Sequence, residues 1–401
     1  MKYVAMITLL LSTFLMHQPA AASHEATTYN VVSLGAKPDG KSDSTKAFLR
    51  AWDSACKSED PATIYVPPGT YLIGTAASFH GEHCKNTRKG KGITFRIEGT
   101  LVAPSDYRKV GSAGSWIKFE RVSGVSIHGA TLDGQGSRLW ACKHSSSHHH
   151  CPKGSTTLEF SNSNNIVISG LTSLNSQMFH IVILGCNNVK VQGVRVQASG
   201  NSPNTDGIHV ASSSGVVISN SNIATGDDCI SIGPGTSNLW IEQIKCGPGH
   251  GISIGSLGWA ENEKGVYNVT VKTVTFTGTT NGARIKTWAK PSNGFVSDVL
   301  FQHLTMINVA NPIIIDQNYC PGAHSCPNQG PGVKISNVKY EDIHGSSATQ
   351  VAVEFGCSKS HPCSGITLQD INLEGPNLSA QSSCVNAAVS NLGVVVPHGC
   401  L

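Results

Sequence analysis

Short stretches that alternate apolar and polar residues recur along most of this chain. In one series, a small polar turn precedes an apolar triplet, and successive triplets lie 23 to 34 residues apart between Ile166 and Ile366. The triplets begin at Val125, Ile166, Val189, Val216, Leu239, Val269, Val299, Val333 and Ile366. A second series alternates with the first and reads FHIVIL, DGIHV, CISIG, GISIG, ARIKT, PIIID and VAVEF. Alternation of this kind is typical of strands with one side in a core.

Two strand series in each period, with little helix between them, predict a solenoid whose coils bury their apolar sides against their neighbours. We therefore expect an all-β fold, a single-domain right-handed parallel β-helix. The varying period indicates that loops are inserted between coils. A propeller or a large sandwich is the alternative, but a propeller needs blades of four strands at a longer period.

One segment near the N-terminus has a helical pattern instead. Phe48, Ala51, Trp52 and Ala55 form an apolar stripe over roughly residues 45 to 57, and Asp43 or Ser44 is positioned to cap it. An open stack of coils exposes apolar surface and unpaired strand edges. We interpret this segment as an N-terminal capping helix.

The first residues have the pattern of a secretory signal peptide. Lys2 is followed by an apolar stretch over residues 4 to 15 and by three alanines at positions 20 to 22. This predicts a signal peptide over 1–22, a mature catalytic domain over 23–401, and a secreted, extracellular protein of the cell wall. Charged residues make up 13% of the chain and the net charge is +4, with no run of Lys or Arg. We expect no nucleic-acid or membrane partner, no cofactor, and a monomer.

Thirteen cysteines in a secreted chain predict disulfides with one thiol left over. Sequence alone does not fix the connectivity, but short spacings favour six local pairs and leave Cys186 free in an apolar run. The pairs are Cys56 with Cys84, Cys142 with Cys151, Cys229 with Cys246, Cys320 with Cys326, Cys357 with Cys363, and Cys384 with Cys400. Asn268 and Asn377 begin glycosylation sequons.

Asp206, Asp228 and His250 are spaced by a constant 22 residues, and Asp227 adds another carboxylate. An isolated aspartate in a turn usually bonds its own backbone. Three carboxylates on adjacent coils are different, because like charges at close range raise one another's pKa values, and such clusters mostly serve acid/base chemistry. A protonated and an ionised carboxyl group flanking one bond are the groups that glycoside hydrolysis needs.

Three further residues lie at a similar phase. Arg284 and Lys286 alternate in one strand of the second series, which favours a cationic subsite for a substrate carboxylate over a merely solvated surface. Tyr319 on the next coil is either a platform for a sugar ring or a structural residue. His148, His149 and His150, in the segment 144–150, are interpreted as part of a disulfide-tied loop, because a loop gives them no defined metal geometry.

Four segments resemble the signature motifs of polygalacturonases, glycoside hydrolase family 28. They are Asn204-Thr205-Asp206, Gly226-Asp227-Asp228, Gly249-His250-Gly251 and Arg284-Ile285-Lys286, in this order. YNVVSLGAKPDGKSDSTKAF, LDGQGSRLW and PIIIDQNYCP are also similar to the plant enzymes, so the resemblance covers nearly the whole mature chain.

The resemblance implies a right-handed β-helix that hydrolyses the α-1,4 bonds of homogalacturonan with inversion. Asp227 would be the general acid, while Asp206 and Asp228 would activate the water. His250 would support the acid. Arg284, Lys286, Tyr319 and Asn204 would bind the substrate.

Spacing alone would put carboxyls on adjacent coils about 5 Å apart, which is the range of retaining enzymes, so inversion rests on the resemblance. Two other functions stay open. A β-helix lyase would use a Ca²⁺ cage of carboxylates and a basic proton abstractor. A non-catalytic wall-binding protein would be expected to lack part of the acidic cluster. Between endo and exo attack, the C-terminal third favours endo.

Overall fold

The strands observed in the computed structural model follow the two series found in the sequence. The structure describes residues 26–145, 150–321, 326, 330, 332–376, 379–398 and 400. Its helices are α1 (Thr45–Lys57), α2 (Lys85–Arg88) and α3 (Ser137–His144), with a 3₁₀ turn at Tyr107–Lys109. In chain order the strands are β1 (Thr27–Asn30), β2 (Asp39–Asp43), β3 (Ala62–Val66), β4 (Thr70–Leu72), β5 (Ala77–His80), β6 (Ile93–Val102), β7 (Ser115–Glu120), β8 (Val125–Asp133), β9 (Thr156–Ser161), β10 (Asn164–Ser169), β11 (Thr172–Leu174), β12 (Ile181–Leu184), β13 (Asn187–Gln192), β14 (Arg195–Gln197), β15 (Ile208–Ala211), β16 (Ser214–Ala224), β17 (Ile230–Ile232), β18 (Ser237–Cys246), β19 (Ile252–Leu257), β20 (Val266–Thr277), β21 (Asn281–Thr287), β22 (Pro291–Val309), β23 (Asn311–Asp316), β24 (Gly332–Ser347), β25 (Val351–Gly356), β26 (Cys363–Glu374), β27 (Gln381–Val385) and β28 (Ala387–Val396).

All of these strands pair in parallel, in two sheets. The larger sheet has 17 strands and contains the triplets of the first series, from β8 to β26. The second sheet has eleven strands in the spatial order β27-β25-β23-β21-β19-β17-β15-β12-β9-β7-β5, and β12 to β25 are the second series. Each coil therefore contributes to both sheets. The predicted right-handed parallel β-helix of a single domain is confirmed.

The core of the solenoid is a set of columns in which one side chain stacks on its counterpart in the next coil. In the eleven-stranded sheet, Ile208 pairs in register with Ile230, which pairs with Ile252, and Ile252 pairs with Ala283. All four are fully buried. Because side chains alternate along a strand, the neighbouring position of each coil points outward. This alternation is what brings polar residues of successive coils into one row on the surface.

Helix α1 closes the N-terminal end of this core, as the apolar stripe predicted. Trp52 contacts Phe79 with ring centroids 5.5 Å apart, and Phe79 begins a stack that continues through Phe119 to Phe160 at spacings of 4.7 Å. Ser44 occupies the N-cap position without a capping side-chain bond, and the Asp43 carboxylate accepts a hydrogen bond from the Thr45 amide at 2.9 Å instead. Helix α3 was not predicted, and it ends at His144, the first residue of the segment interpreted as a histidine-rich loop.

Six disulfides join the cysteines in the pairs that the spacings favoured. Cys186 is free and fully buried, and burial raises the pKa of its thiol. Within the described part of the chain, none of the helices combines the length and the apolar character needed to cross a bilayer. The predicted signal peptide, His148, His149 and the sequon residue Asn377 lie outside the described residues. Asn268 is exposed, and His150 lies in an exposed position after α3.

Candidate active site

The predicted site residues lie together on the outer side of the eleven-stranded sheet, near its middle strand. Asp206 is in the turn before β15, and Asp227 and Asp228 are in the turn before β17. The aspartates therefore lie at the N-terminal ends of strands in neighbouring coils. Arg284 and Lys286 project from β21, two coils further along. Residues 80 positions apart in the chain thus meet because the coils stack in register.

A row of four polar side chains runs across the outer side of this sheet. Strand pairing places His209 opposite Ser231, Ser231 opposite Ser253, and Ser253 opposite Arg284. His209 Nδ1 lies 2.8 Å from Ser231 Oγ, and Arg284 Nε donates to Ser253 Oγ at 2.9 Å. Ser231 also forms a hydrogen bond with Asp206, and Ser253 forms one with Asp228. The row therefore fixes two of the three aspartates to the sheet.

Asp228 is held by three donors. Its Oδ1 accepts hydrogen bonds from Ser253 Oγ at 2.8 Å and from Arg284 Nη2 at 2.9 Å. Its Oδ2 accepts one from Lys286 Nζ at 2.8 Å. The Asp228 side chain is only 2% exposed. Two cations and a hydroxyl therefore hold this buried carboxyl in one orientation through charge-assisted hydrogen bonds.

Asp227 faces a different set of partners. Its Oδ1 lies 3.0 Å from His250 Nδ1 and accepts from the Asp228 amide at 2.9 Å, while its Oδ2 lies 3.4 Å from Asn204 Nδ2. Its side chain is 18% exposed, against 2% for Asp228. Burial works against ionisation of Asp227, but the hydrogen bond and charge of His250, with Lys286, keep its pKa below the ordinary value.

Asp206 has the opposite electrostatic environment. It is 6% exposed, and its burial together with the charges of Asp228 and Asp227 raises its pKa well above the ordinary value. A hydrogen bond from Ser231 opposes this shift only in part. Asp206 and Asp227 therefore differ in acidity although they share one site, because the pKa of Asp206 is raised and that of Asp227 is lowered.

These groups line a cleft of about 250 Å³ that crosses several coils. Phe179, Asn204 and His209 lie on one side, and Gly255, Ser256, Lys286 and Tyr319 lie towards the other. The Tyr319 ring is 5.2 Å from Lys286 Nζ. Phe179 stacks on His209 with ring centroids 5.1 Å apart, and desolvation lowers the pKa of His209 to about 4. His209 is thus neutral near neutral pH.

Three residues of this site, His209, Ser231 and Ser253, were not predicted from the sequence. A serine or a histidine at an outward strand position gives no signal by itself. The one available clue was that these residues follow the aspartates at the same alternation phase in DGIHV, CISIG and GISIG.

The chain also matches known proteins over most of its length. The family described as Glycosyl hydrolases family 28 matches residues 56–394. This chain belongs to glycoside hydrolase family 28. The resemblance seen in the sequence is confirmed, and the chain is a glycoside hydrolase.

Relatives of the family 28 chain cover nearly its full length. A polygalacturonase of Prunus persica is 64% identical over 93% of this chain and 93% of its own. An exopolygalacturonase of Platanus acerifolia is 45% identical over 92% of this chain and 96% of its own. A solved exopolygalacturonase of Thermotoga maritima, 18% identical, covers 91% of this chain and 90% of its own with a TM-score of 0.76, which shows the shared fold.

Asp227, Asp228 and His250 also offer ligand atoms within 4.8 Å of one another, a spacing that a metal ion could bridge. Both oxygens of Asp228 already accept from cations, however, because Arg284 and Lys286 lie at hydrogen-bond distance. A divalent cation at this carboxylate would be placed beside two positive side chains. The geometry of this family 28 site therefore favours proton chemistry over metal ligation.

Proposed function

We propose that this family 28 enzyme hydrolyses the α-1,4 bonds of homogalacturonan by single displacement with inversion. The observation that supports this proposal is that three carboxyls line one cleft and that the pKa of Asp206 is raised while that of Asp227 is lowered. Inverting glycoside hydrolysis needs an acid for the leaving oxygen and a base for the attacking water. The 64% identical peach relative, named a polygalacturonase, supports the choice of polymer.

Asp227 is the general acid in this proposal. It is more exposed than Asp228, so it can approach the glycosidic oxygen, and Asn204 and His250 fix its orientation. Its pKa is low in the free protein, so the proton has to reach it once substrate is present. A polyanionic substrate adds negative charge to the cleft, and negative charge raises carboxyl pKa values. Because neighbouring carboxyls share their protons, a proton bound at Asp206 can then pass to Asp227.

Asp228 and Asp206 activate the water. Three donors already orient the Asp228 carboxyl, and Asp206 becomes a base when it loses its proton. The hydroxyls of Ser253 and Ser231 hold these two carboxyls at the rim of the same cleft. The proposed cycle therefore begins with a proton transfer within the cluster and ends when the water proton restores it.

Lys286 and Arg284 bind the carboxylate of a galacturonate unit. The sequence predicted a free cationic subsite, but both cations contact Asp228 in the structure. A substrate carboxylate shares them, since an ammonium has three donors and a guanidinium has five. Tyr319 lies beside Lys286 and would support the sugar ring.

We also propose endo attack and an extracellular location. The acid lies before β17, the middle strand of the eleven-stranded sheet, with five strands on either side. A polymer can therefore extend over coils in both directions, which favours cleavage inside the chain. The Platanus relative is named an exopolygalacturonase, so product sizes are the deciding measurement. Six disulfides suit an oxidising extracellular environment.

The test is digestion of polygalacturonic acid followed by proton NMR and by product sizing. Inverting endo hydrolysis gives new reducing ends that are β at first, with a mixture of oligomers early in the reaction. An α anomer would contradict inversion, and early monomer alone would contradict endo attack. An ultraviolet-absorbing product would indicate a lyase. No product at all, from a protein that still binds the polymer, would indicate a wall-binding function.

A further inference from the structure

A line of aromatic rings leads out of the cleft beyond Tyr319. Tyr319 contacts Trp288 edge-on, with ring centroids 5.4 Å apart. Trp288 contacts Trp259 in the same manner at 4.9 Å. The rings come from three successive coils, because Trp259 follows β19, Trp288 follows β21 and Tyr319 follows β23. The row therefore begins at the reaction cleft and ends on the outer surface.

A lysine accompanies each end of this row. Lys286 Nζ lies 5.2 Å from the centre of the Tyr319 ring. Lys290 Nζ lies 3.3 Å from the centre of the Trp259 ring and 5.7 Å from that of Trp288. Lys286 already has the Asp228 carboxylate as a partner. The Lys290 ammonium rests on an aromatic ring, which leaves its N–H groups directed away from the ring available to an anion.

Trp259 is unusually exposed for its size, yet its loop is braced. Its exposed fraction is 61%, the second highest among the large apolar residues of the described chain. The Glu263 carboxylate accepts hydrogen bonds from the two backbone amides that flank Trp259, those of Gly258 at 2.7 Å and Ala260 at 2.9 Å. The Asn293 amide of the next coil donates to the Glu261 carbonyl at 2.7 Å. An indole held out to solvent by a fixed loop is pre-organised for a ligand.

We propose that Trp259 and Lys290 form a further subsite for a uronate unit of the polymer, beyond the unit at Lys286 and Tyr319. The apolar side of the sugar ring contacts the indole, and the sugar carboxylate binds the Lys290 ammonium. This inference rests on the proposed function, because it assumes an acidic polysaccharide in the cleft. It assigns Trp259 and Lys290 to binding and not to chemistry.

A second exposed lysine–tryptophan pair lies away from the cleft and can serve as a control. Trp240 is 39% exposed, and Lys272 Nζ lies 5.5 Å from the centre of its ring. These two residues lie on β18 and β20 of the 17-stranded sheet, which is not the sheet that carries the cleft. Trp240→Ala and Lys272→Gln are therefore controls for the loss of an exposed tryptophan or of an exposed lysine charge.

The experiment compares Trp259→Ala and Lys290→Gln with these controls. The quantity measured is kcat/KM for polygalacturonate divided by kcat/KM for the shortest oligogalacturonate that the wild type cleaves. We expect this ratio to fall about tenfold in Trp259→Ala, mainly through KM, and by a smaller factor in Lys290→Gln. The controls should keep the wild-type ratio. A ratio in Trp259→Ala equal to that in Trp240→Ala would overturn the subsite while leaving the proposed function intact.

Binding measurements distinguish two outcomes: an incorrect subsite at Trp259 and Lys290, and an incorrect proposal of hydrolysis. Calorimetry with a de-esterified galacturonate oligomer should show weaker binding to Trp259→Ala than to Trp240→Ala. The fully methyl-esterified oligomer should bind the wild type and Lys290→Gln alike. If the wild type binds the acidic oligomer through Trp259 but does not cleave it, the subsite stands and the proposed hydrolysis fails. If Trp259→Ala binds as the wild type does, the subsite is wrong whatever the activity.

Discussion

Lys286 Nζ donates a hydrogen bond of 2.8 Å to Asp228 Oδ2, although the two residues are 58 positions apart in the chain. The pair is nearly enclosed, with side-chain exposures of 8% and 2%. Breaking such a pair leaves a buried charge with too few partners, which costs more than the pair contributes when intact. The same contact therefore matters for folding, and in the proposed mechanism it also orients the base.

Lys286→Met should test both roles, since it keeps the length of the side chain and removes the charge. We expect the free energy of unfolding to fall by about 3 kcal/mol, because Arg284 still compensates part of the Asp228 charge. Thermal and urea unfolding measure this. Lys339→Met is the control, because Lys339 pairs with Glu341 on the surface at 2.6 Å and such pairs contribute about 0–1 kcal/mol. Equal losses in both variants would contradict the structural role.

Methyl esterification of the substrate should reduce turnover strongly. Lys286 lines the cleft, and Arg284 contacts the same Asp228 carboxylate beside it. An ester cannot form the charge-assisted contact that a uronate would form with these cations. The loss of such a contact in a desolvated site costs roughly 2–5 kcal/mol. Initial rates on pectins of graded esterification measure the effect. Equal turnover of esterified and de-esterified polymer would count against a cationic subsite.

The sequence predicted the fold and the position of the site, but it did not predict the contacts and pKa values within the site. The coil period predicted the two strand series and the meeting of Asp206, Asp228 and His250, since stacking in register follows from the repeat. The partners of Asp228 could not be predicted, because they depend on which oxygen faces which coil. The difference in acidity between the carboxyls could not be predicted from the sequence either. It depends on burial, which raises the pKa of Asp206, and on the contact that lowers the pKa of Asp227.

His180 should make the fold sensitive to acid. It is fully buried, its Nδ1 lies 2.8 Å from Ser173 Oγ, and desolvation lowers its pKa from 6.5 to about 3. Between these values the unfolded chain binds a proton that the folded chain does not, so stability falls as the pH falls. From pH 6.5 to about pH 4 this residue should cost about 3 kcal/mol. Asp206 acts in the opposite direction, because its pKa is raised in the folded state.

His180→Asn should flatten this acid dependence, since an amide does not titrate. Melting temperatures between pH 6.5 and pH 4 measure the slope, and the comparison of slopes removes any constant cost of the substitution. His128→Asn is the control, because His128 is exposed but also contacts a serine hydroxyl, Ser169 Oγ, at 2.6 Å. If His180→Asn and the wild type lost stability in parallel, the buried imidazole would not be the cause.

Asp227→Asn tests the general acid most directly. The amide keeps the size of the side chain but cannot donate a carboxylic proton, so turnover should fall by at least the 10²–10⁴-fold typical of general acid catalysis. Wild-type activity should peak in mildly acidic solution, because the base is protonated at low pH and the acid is lost at high pH. Asp342→Asn is the control, since Asp342 Oδ2 lies 2.6 Å from His303 Nδ1 in an exposed pair. It should leave turnover unchanged.

The activity of Asp227→Asn also decides whether another carboxyl has to be considered as the general acid. If Asp227→Asn kept near-normal turnover with an unchanged melting curve, the assignment of the acid would be wrong. The sequence would then favour Asp228 as the next candidate, but both of its oxygens already accept hydrogen bonds from cations. Asp206 is the better candidate, because burial and the charges of Asp228 and Asp227 raise its pKa. Asp206→Asn would then lower turnover by about 10²–10⁴-fold, and the pH profile of the residual activity would lose the limb that reports the acid.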